Sequence, residues 1–251
     1  MTEHHENLVS VIMPSYNSAE FIAESIDSVI AQSYQDWELL ICDDVSTDNS
    51  RDIIREYAAR DKRIKLIELS ENSGAAVARN TSIQASKGRF IAFLDSDDLW
   101  REDKLEKQTV FMKQHNVVLS YTYYSVIDEQ GQDTGKVMMP AGRLTYKDLL
   151  KSNQIGCLTA IYDAGKIGKV EMPLIRKRQD FALWLRILKK GHLAVCLHEN
   201  LALYRNRTNS ISSNKFDLVK YNWRLYRQVE AFSIFKSAYY LAWNIYRKIK
   251  S

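Results

Sequence analysis

The chain has 251 residues, which suits one large α/β domain or one domain with an appendage. Its apolar content of 45% and charged content of 26% are those of a soluble globular protein, so disordered and collagen-like classes are excluded. The net charge of +4 is concentrated at one end, because residues 214–251 hold eight Lys or Arg and two acids. Residues 1–213 therefore carry −2, which argues against a nucleic-acid-binding main domain.

Neither the first residues nor the cysteines point to secretion. The segment MTEHHENL has no basic region followed by an apolar core, so we expect no signal peptide and a flexible N-terminus over residues 1–7. Cys42, Cys157 and Cys196 are odd in number and show no CxxC spacing. This pattern predicts reduced, mostly buried thiols in a cytoplasmic protein.

The first hundred residues alternate between short apolar runs, which predict strands, and apolar residues at helical spacing, which predict helices. The expected order is strand 8–13, helix 18–32, strand 37–42, helix 46–60, strand 64–69, helix 74–88 with Gly88 as its stop, and strand 89–94. Such an alternation implies a parallel sheet with right-handed crossovers and helices on both faces. The predicted fold class is therefore α/β, with a Rossmann-like half over residues 8–100.

Beyond residue 100 the pattern is mixed. We expect a helix over 103–114, a long strand over 117–128, a turn over 129–136, a helix over 178–191 and a strand over 192–204. No linker separates this part from the first, so we predict one domain over residues 8–213. A helical tail, residues 214–251, follows it.

Polar segments follow the first four predicted strands. They are PSYN (14–17), DDVSTD (43–48), NSGAAVARN (72–80) and DSDD (95–98). Because ligands of open α/β sheets bind beyond the carboxyl ends of the strands, the four segments predict one binding edge. Taken singly, Asp43, Ser46 and Asp48 also fit loop and helix-capping roles, and Asn72 with Gly74 fits a turn.

Asp95, Asp97 and Asp98 follow a predicted core strand with no Lys or Arg among them. Like charges this close repel each other unless a positive group compensates. A hard divalent cation is a natural compensator, and a basic side chain from elsewhere in the fold is an alternative. The sequence shows no His–Cys ligand pattern, so zinc is not expected, and His192 and His198 are expected to be structural.

The segments VSVIMPSYN, DDVSTD, NSGAAVARN and FLDSDD, in this order and spacing, resemble the inverting glycosyltransferases of family 2, which have the GT-A fold. The resemblance covers residues 8–213 and is strongest to bacterial enzymes that build teichuronic-type, capsular or lipopolysaccharide glycans. It implies a nucleotide-binding part over 8–100 and an acceptor-binding part over 101–213. The implied reaction is metal-dependent transfer from a nucleotide-sugar, expected to be a UDP-sugar, to a hydroxyl of a lipid-linked cell-surface glycan.

The resemblance assigns nucleotide-binding roles to five residues: Pro14, Tyr16, Asp44, Arg79 and Asp95. Pro14 and Tyr16 match the segment that holds the base, and Asp44 matches the carboxylate that hydrogen-bonds a uracil ring. Arg79 matches a basic residue near the base and the diphosphate, and Asp95 is directed to the ribose.

The metal and the catalytic base are assigned in the same way. Asp97 matches the ligand of a Mn²⁺ or Mg²⁺ ion that bridges the diphosphate. Asp180, in RQDFALWLR, matches the base that takes the proton from the acceptor hydroxyl. Gln179 departs from the family's usual glutamate. The alternative for Asp180 is an acid placed at a helix N-terminus by the macrodipole.

Two further segments are open to two interpretations each. YRNRTNSISSNK resembles the loop whose basic residues close over the diphosphate, which makes Arg205 and Arg207 candidates, but Asn206 stands where many members have histidine. An ordinary polar loop is the alternative.

In the tail, residues 223–250 are rich in aromatic residues and contain neither Pro nor Gly, so we predict a helix. Their least charged piece, 237–246, is shorter than the about 20 residues of a membrane span. The aromatic residues and basic margin suit an anionic membrane surface, at the inner face of the plasma membrane. Packing on the catalytic domain or on a second subunit is the alternative, which leaves an oligomer open.

Two rival functions belong to other classes. A nucleotidyltransferase would be expected to carry a Gly-rich, basic loop after the first strand, and MPSYNSAEF has neither glycine nor a basic residue. A non-catalytic sugar-nucleotide-binding partner subunit is suggested by Gln179 alone.

Overall fold

A mixed ten-stranded sheet forms the centre of the molecule in the computed structural model, which describes residues 5–207 and 215–250. The strands are β1 (His5–Ser15), β2 (Trp37–Asp43), β3 (Ile64–Glu68), β4 (Gly88–Phe93), β5 (Leu99–Trp100), β6 (Leu119–Ile127), β7 (Asp133–Met138), β8 (Arg143–Leu144), β9 (Ile161–Asp163) and β10 (Ala194–Arg205). The spatial order is β3-β2-β1-β4-β9-β6-β10-β5, with β7 on β6 and β8 on β10.

Helices cover both faces of this sheet. They are α1 (Ile22–Ile30), α2 (Ser50–Arg60), α3 (Ala75–Ala85), α4 (Lys104–Gln114), α5 (Tyr146–Lys151), α6 (Ala164–Ile167), α7 (Gln179–Leu188), α8 (Lys215–Arg224) and α9 (Ile234–Lys250). Successive side chains of a strand point to opposite faces. Accordingly, Val11 joins the core beneath α1, α2 and α4, whereas Ile12 joins the core beneath α3, α5 and α7.

The sheet brings six carboxyl ends to one edge. Strands β3, β2, β1 and β4 are parallel, as the strand–helix alternation predicts. Strand β9 is antiparallel to both β4 and β6, and β10 is parallel to β6. The carboxyl ends of β1, β2, β3, β4, β6 and β10 therefore lie at the same edge, here named the donor edge after the sugar donor that the family resemblance predicts there.

The prediction for Gly88 is wrong. Helix α3 ends at Ala85, and Gly88 begins β4 instead of stopping the helix. A Cβ at position 88 would lie 2.5 Å from the carbonyl oxygen of Leu8 and 2.8 Å from the nitrogen of Ser10. The close approach of β1 therefore requires glycine. Strand β1 begins at His5, so residues 5–7 belong to the sheet rather than to a flexible N-terminus.

The turn predicted over 129–136 is a hairpin. Its turn is tightened by Asp128, whose Oδ1 accepts the backbone N–H groups of Gln130 and Gln132. The chain then returns as β7, which pairs antiparallel with β6. Every residue of β7 is exposed, so it lacks the apolar alternation that reveals a half-buried strand.

The tail is two helices rather than one. A π-helical turn, Leu225–Val229, follows α8, and the chain reverses at Ala231, where φ is +53°. The Tyr226 hydroxyl donates to the carbonyl oxygen of Leu150 at 2.7 Å, and Asn244 Nδ2 donates to the same oxygen at 3.2 Å. One side of α9 is thus packed on α5. In the described part of the chain, no helix combines the length and apolarity that crossing a membrane requires.

Candidate active site

The loop after β2 is organised by a buried aspartate. Asp43 accepts hydrogen bonds from the backbone N–H of Ser46 at 2.8 Å, from the Ser46 hydroxyl at 2.5 Å and from the Ser15 hydroxyl at 3.2 Å. Asp48 Oδ2 accepts the backbone N–H of Ala19 at 3.0 Å. These acids fix the loop, as the loop interpretation of the sequence expects.

Asp44 holds the turn that starts α3. Its two carboxylate oxygens accept the backbone N–H groups of Ser73 at 2.7 Å and Gly74 at 2.8 Å. The next residue, Val45, has φ of +64°, a conformation that costs a β-branched residue of order 1–3 kcal/mol. The donor edge therefore contains a strained residue directly beside Asp44.

An exposed aromatic ring lies at the end of β1. Tyr16 is 53% exposed, and Pro14, two residues earlier, is half-buried in the strand. The backbone between them and α1 is fixed by Asn17, whose Oδ1 accepts the backbone N–H of Thr47 at 2.8 Å. The Tyr16 ring is thus presented on a rigid turn at the donor edge.

A hydrogen-bonded chain joins β4 to α7. Arg79 Nη2 donates to Asp95 Oδ1 at 2.5 Å, and Arg79 Nη1 donates to Gln179 Oε1 at 2.9 Å. Burial by itself would lower the pKa of Arg79, but the Asp95 carboxylate outweighs it and the pKa is raised. Gln179 supplies a neutral acceptor for a guanidinium that already has one carboxylate.

The carboxylates after β4 are only partly compensated. Burial, and then the neighbouring Asp95, raises the pKa of Asp97. Burial raises the pKa of Asp98 well above its usual range, and Asp97 and Asp95 add to the effect. Arg207 Nη1 donates to Asp97 Oδ2 at 3.2 Å, so a basic side chain from the late loop does reach the group.

The two candidate arginines of the late loop have different environments. Arg205 is 1% exposed, and its guanidinium donates to the carbonyl oxygens of Asp97 at 2.9 Å and Glu129 at 2.8 Å and to Glu24 Oε2 at 2.6 Å. These contacts occupy Arg205 within the protein, so it is not placed to bind a diphosphate. Arg207 is partly exposed at the donor edge. Residues 208–215 of the predicted loop fall largely outside the described residues.

The carboxylate oxygens at this edge are suitable ligands for a hard divalent cation. Carboxylate oxygens are the ligands that Mg²⁺ and Mn²⁺ prefer, and one or two of them commonly act with substrate phosphate and water. Within the described ranges, no three His, Cys, Asp or Glu side chains are grouped so as to hold a metal by themselves. Asp97, with Asp95 beside it, fits as a partial ligand set.

Asp180 lies at the start of α7, next to Gln179. Asn153 Nδ2 lies 3.4 Å from Asp180 Oδ2. Burial, then Asp95, and also Asp180 raise the pKa of the partly buried thiol of Cys157. Arg79, which contacts both Asp95 and Gln179, links the carboxylates after β4 to the residue next to Asp180.

Sequence reasoning missed three residues here: Asn153, Cys157 and Arg178. Asn153 and Cys157 lie in an irregular stretch, where no periodicity marks them. Arg178 has φ of +70° and directly precedes Gln179. The run of three basic residues at 176–178 is the signal that could have drawn attention to it.

Comparisons with known proteins identify the family of the chain. The sequence model described as Glycosyl transferase family 2 matches residues 10–165. A protein of Bacillus subtilis named as a teichuronic acid biosynthesis glycosyltransferase, TuaG, is 47% identical over 232 residues, which cover 92% of this chain and 92% of that protein. The Escherichia coli protein named UDP-Glc:alpha-D-GlcNAc-diphosphoundecaprenol beta-1,3-glucosyltransferase WfgD is 44% identical over 217 residues, covering 86% of this chain and 84% of WfgD.

Solved structures share the fold at lower identity. TarS of S. aureus in complex with UDP-GlcNAc superposes with a TM-score of 0.71 at 22% identity, covering 92% of this chain and 69% of that one. The mannosyltransferase PcManGT of Pyrobaculum calidifontis, in complex with GDP-Man and Mn²⁺, gives 0.66 at 18% identity, covering 93% and 69%. The predicted GT-A fold, with its Rossmann-like half, mixed half and C-terminal helices, is confirmed. With its segments, its sheet and more than half of its length matched, the chain belongs to glycosyl transferase family 2.

Proposed function

We propose that the protein is a metal-dependent inverting glycosyltransferase that moves a sugar from a UDP-sugar to a hydroxyl of a lipid-linked cell-surface glycan. One observation carries the proposal: the chain Asp95–Arg79–Gln179 joins the carboxylates after β4 to the helix that begins with the candidate base. Donor and acceptor chemistry can therefore meet at one edge. The name of WfgD, which gives UDP-Glc and a diphosphoundecaprenol acceptor, supports both substrate classes.

The nucleotide is held at the ends of β1, β2 and β4. The exposed Tyr16 ring, with Pro14 behind it, offers an apolar face to the base. Asp44 uses one lone pair of each oxygen on the backbone of α3, which leaves acceptor capacity for the N–H of a uracil ring. Asp95 binds the ribose, and Arg79 fixes the orientation of Asp95.

The leaving group is the nucleoside diphosphate. A Mn²⁺ or Mg²⁺ ion bound to Asp97 would neutralise the charge that this group gains as the glycosidic bond breaks. Arg207, which now pairs with Asp97, is free to turn to the diphosphate when the carboxylate has another partner. Arg205 holds the carbonyl oxygen of Asp97 through its Nε and the carboxylate of Asp98 through its backbone N–H, and it does not contact substrate.

Asp180 acts as the general base. In an inverting transfer the acceptor hydroxyl attacks the anomeric carbon on the face opposite the leaving group, and a carboxylate takes its proton. Asn153 and the start of α7 hold Asp180, and Gln179 ties that start to Arg79. Residues 8–100 thus bind the donor, and residues 101–213 bring the acceptor to the base.

The tail places the enzyme against a membrane in this proposal. Five apolar side chains of α9 are exposed on the sides that do not pack on α5: Ile234, Phe235, Tyr239, Ile245 and Tyr246. We name them the outer face of α9. The α9 sequence has no acid and several Lys or Arg, which suits anionic lipid at the inner face of the plasma membrane.

Calorimetric titration tests the donor. UDP, GDP, CDP and dTDP are titrated into the protein with Mn²⁺, with Mg²⁺ and with EDTA. We expect UDP to bind best, and we expect the affinity to fall at least tenfold in EDTA and in Asp97→Ala. Preferred binding of GDP or dTDP would contradict the assignment of Asp44 to uracil. No binding of any nucleotide would favour a partner subunit that only resembles the enzymes.

A further inference from the structure

A cationic side chain beside the candidate base has an unsatisfied nitrogen. Arg178 is partly buried, and its Nε is buried with no hydrogen-bond partner among the described residues. Burial lowers the pKa of Arg178 even though Asp180 acts in the opposite direction. A guanidinium stays charged at any physiological pH, and a buried N–H without an acceptor costs of order 1–3 kcal/mol. An anionic ligand could supply the acceptor that Nε lacks.

The backbone at this position is also unfavourable for arginine. Arg178 has φ of +70°, in the left-handed region where only glycine is free of strain. A glycine would relieve the strain and remove the buried charge at once. Two unfavourable features, the positive φ and the unsatisfied Nε, thus coincide at one residue. This combination is expected where a side chain binds a ligand rather than stabilises the fold.

Further cations lie at the junction between this segment and α8. A cavity of about 160 Å³ is lined there by Leu174, Ile175, Arg176, Tyr221, Arg224 and Gln228. None of these residues is acidic. Lys177 Nζ lies 5.4 Å and the Arg224 guanidinium carbon 5.8 Å from the centre of the Tyr221 ring. We name Arg176, Arg178 and Arg224 the arginine junction.

The arginine junction adjoins Asp180 along the chain, because Arg176 and Arg178 directly precede α7. Gln179, next to Asp180, is hydrogen-bonded to Arg79 and so connects to the donor edge. Arg176 instead shares a cavity with residues of α8, and the charge of Arg178 acts on Tyr226 in the turn after that helix. A ligand in the junction would therefore lie beside the start of α7 and contact residues other than those that bind Arg79.

We propose that the arginine junction binds the diphosphate of a lipid-linked acceptor and so delivers the acceptor sugar to Asp180. The proposal rests on the proposed function, because it assumes that Asp180 is the base. Bidentate guanidinium–phosphate pairs suit three arginines gathered at one place. A diphosphate fits a cavity of this size, which Arg176 and Arg224 line, and one of its oxygens would supply the acceptor that the Nε of Arg178 lacks. The lipid would leave past the exposed Leu174 toward the tail.

Geranyl diphosphate is a soluble probe of this site. It is titrated into the full chain in EDTA, so that no metal can capture it at the donor edge, where the bare carboxylates repel it. We expect binding that weakens at least tenfold in Arg176→Gln and in Arg178→Gly. The glycine variant is informative because it should raise the melting temperature by relieving φ of +70°, so lost binding cannot be ascribed to misfolding.

Two matched controls locate the effect. Arg207→Gln, at the donor edge, and Arg186→Gln, in the last turn of α7, should leave geranyl diphosphate binding unchanged. Full binding in Arg178→Gly, or absence of binding in the unaltered protein, would overturn the proposal. A further contrary result is that Arg178→Gly weakens binding to phosphatidylglycerol vesicles and leaves geranyl diphosphate binding unchanged. That result would overturn the proposal and identify the junction as a contact with lipid. UDP titration with Mn²⁺ tests the donor function separately.

Discussion

The donor edge and the arginine junction carry opposite excesses of charge on either side of Asp180. At the donor edge, Asp97 and Asp98 have raised pKa values because burial and neighbouring carboxylates leave them short of positive charge. At the junction, no acid lines the cavity beside Arg176 and Arg224, and the Nε of Arg178 has no hydrogen-bond partner among the described residues. This difference supports the proposal that the two regions bind ligands of opposite sign, a divalent cation with a nucleotide on one side and an anionic acceptor on the other.

The largest effect is expected at the residue between the two regions. Asp180→Asn should lower kcat about 10³-fold, because positioned proton transfer contributes about 10²–10⁴. UDP affinity should be unchanged, since the donor edge is intact. Transfer is measured with radiolabelled UDP-sugar, and affinity by calorimetry.

Asp148→Asn is a matched control. Asp148 is exposed in the capping box of α5, so its loss should leave kcat unchanged and cost about 0.5–1 kcal/mol of stability. Unchanged glycan synthesis by Asp180→Asn would instead support a non-catalytic partner subunit.

The second effect separates the two arginines of the late loop. Arg205→Met should lower the free energy of unfolding by about 2–5 kcal/mol, because it leaves the carbonyl oxygens of Asp97 and Glu129 without their donor and removes the ion pair with Glu24. Arg207→Met should change that energy by less than about 1 kcal/mol and weaken UDP binding instead. Urea unfolding and calorimetry of both variants give the two values. A stable Arg205→Met protein with weak UDP binding would instead show that Arg205 binds the diphosphate.

A third variant tests how a buried cation with only a neutral hydrogen-bond partner behaves when it can lose its charge. Lys104 is 0% exposed, and burial lowers its pKa to about 7; its Nζ donates to Gln108 Oε1 at 2.7 Å. Lysine can become neutral, whereas arginine cannot. Lys104 therefore needs no ligand, which sharpens the contrast with Arg178.

The sign of the pH effect follows from the lowered pKa. Between pH 7 and the unfolded-state value near 10.5, the unfolded chain binds more protons, so stability rises with pH over that window. Lys104→Met should be more stable at pH 7 by about 2 kcal/mol and should lack this rise. Urea unfolding at pH 7 and pH 9 measures both. A less stable Met variant would show that the Gln108 contact outweighs the burial of charge.

The smallest effect concerns the outer face of α9, which we propose contacts the membrane. Phe235 is 88% exposed on the outer face of α9. Phe235→Glu should lower partition to phosphatidylglycerol vesicles about tenfold, since it removes apolar contact and adds a repelled charge. Met139→Glu, at a similarly exposed apolar residue near β7, should have no effect. Loss of a dimer in the Phe235 variant, with partition unchanged, would identify the face as a contact between copies.

The donor half of the fold was predictable because its signals are local. Strand and helix periodicities and four polar segments, read together, place Tyr16, Asp44 and Asp95 at one edge of a parallel sheet. The second half was predicted less well, since β5, β8 and β9 are two or three residues long and β7 is wholly exposed. Such short or exposed strands are stabilised by pairing with strands distant in sequence, and a local sequence pattern does not predict that pairing.

The predicted site residues fared unevenly for a related reason. Sequence gives the residue type but not its partners. Arg205 and Arg207 look alike in the sequence, yet β10 buries the first beside Glu24 and leaves the second at the surface. Asp44 carries the turn of α3 through two backbone N–H groups, a role that only the folded loop shows. The roles of Asp180 and Asp97 in catalysis stay predictions until the variants are measured.

Gly88 bears on how mutational surveys of this enzyme should be interpreted. Any side chain at position 88 would meet main-chain atoms of β1 at 2.5–2.8 Å, and backbone cannot move aside as a flexible side chain can. In a saturation screen for glycan synthesis, this position will tolerate no replacement and will score like a catalytic residue. It lies at the end of the strands away from the donor edge. Soluble yield of the variants, rather than activity alone, will distinguish loss of architecture from loss of chemistry.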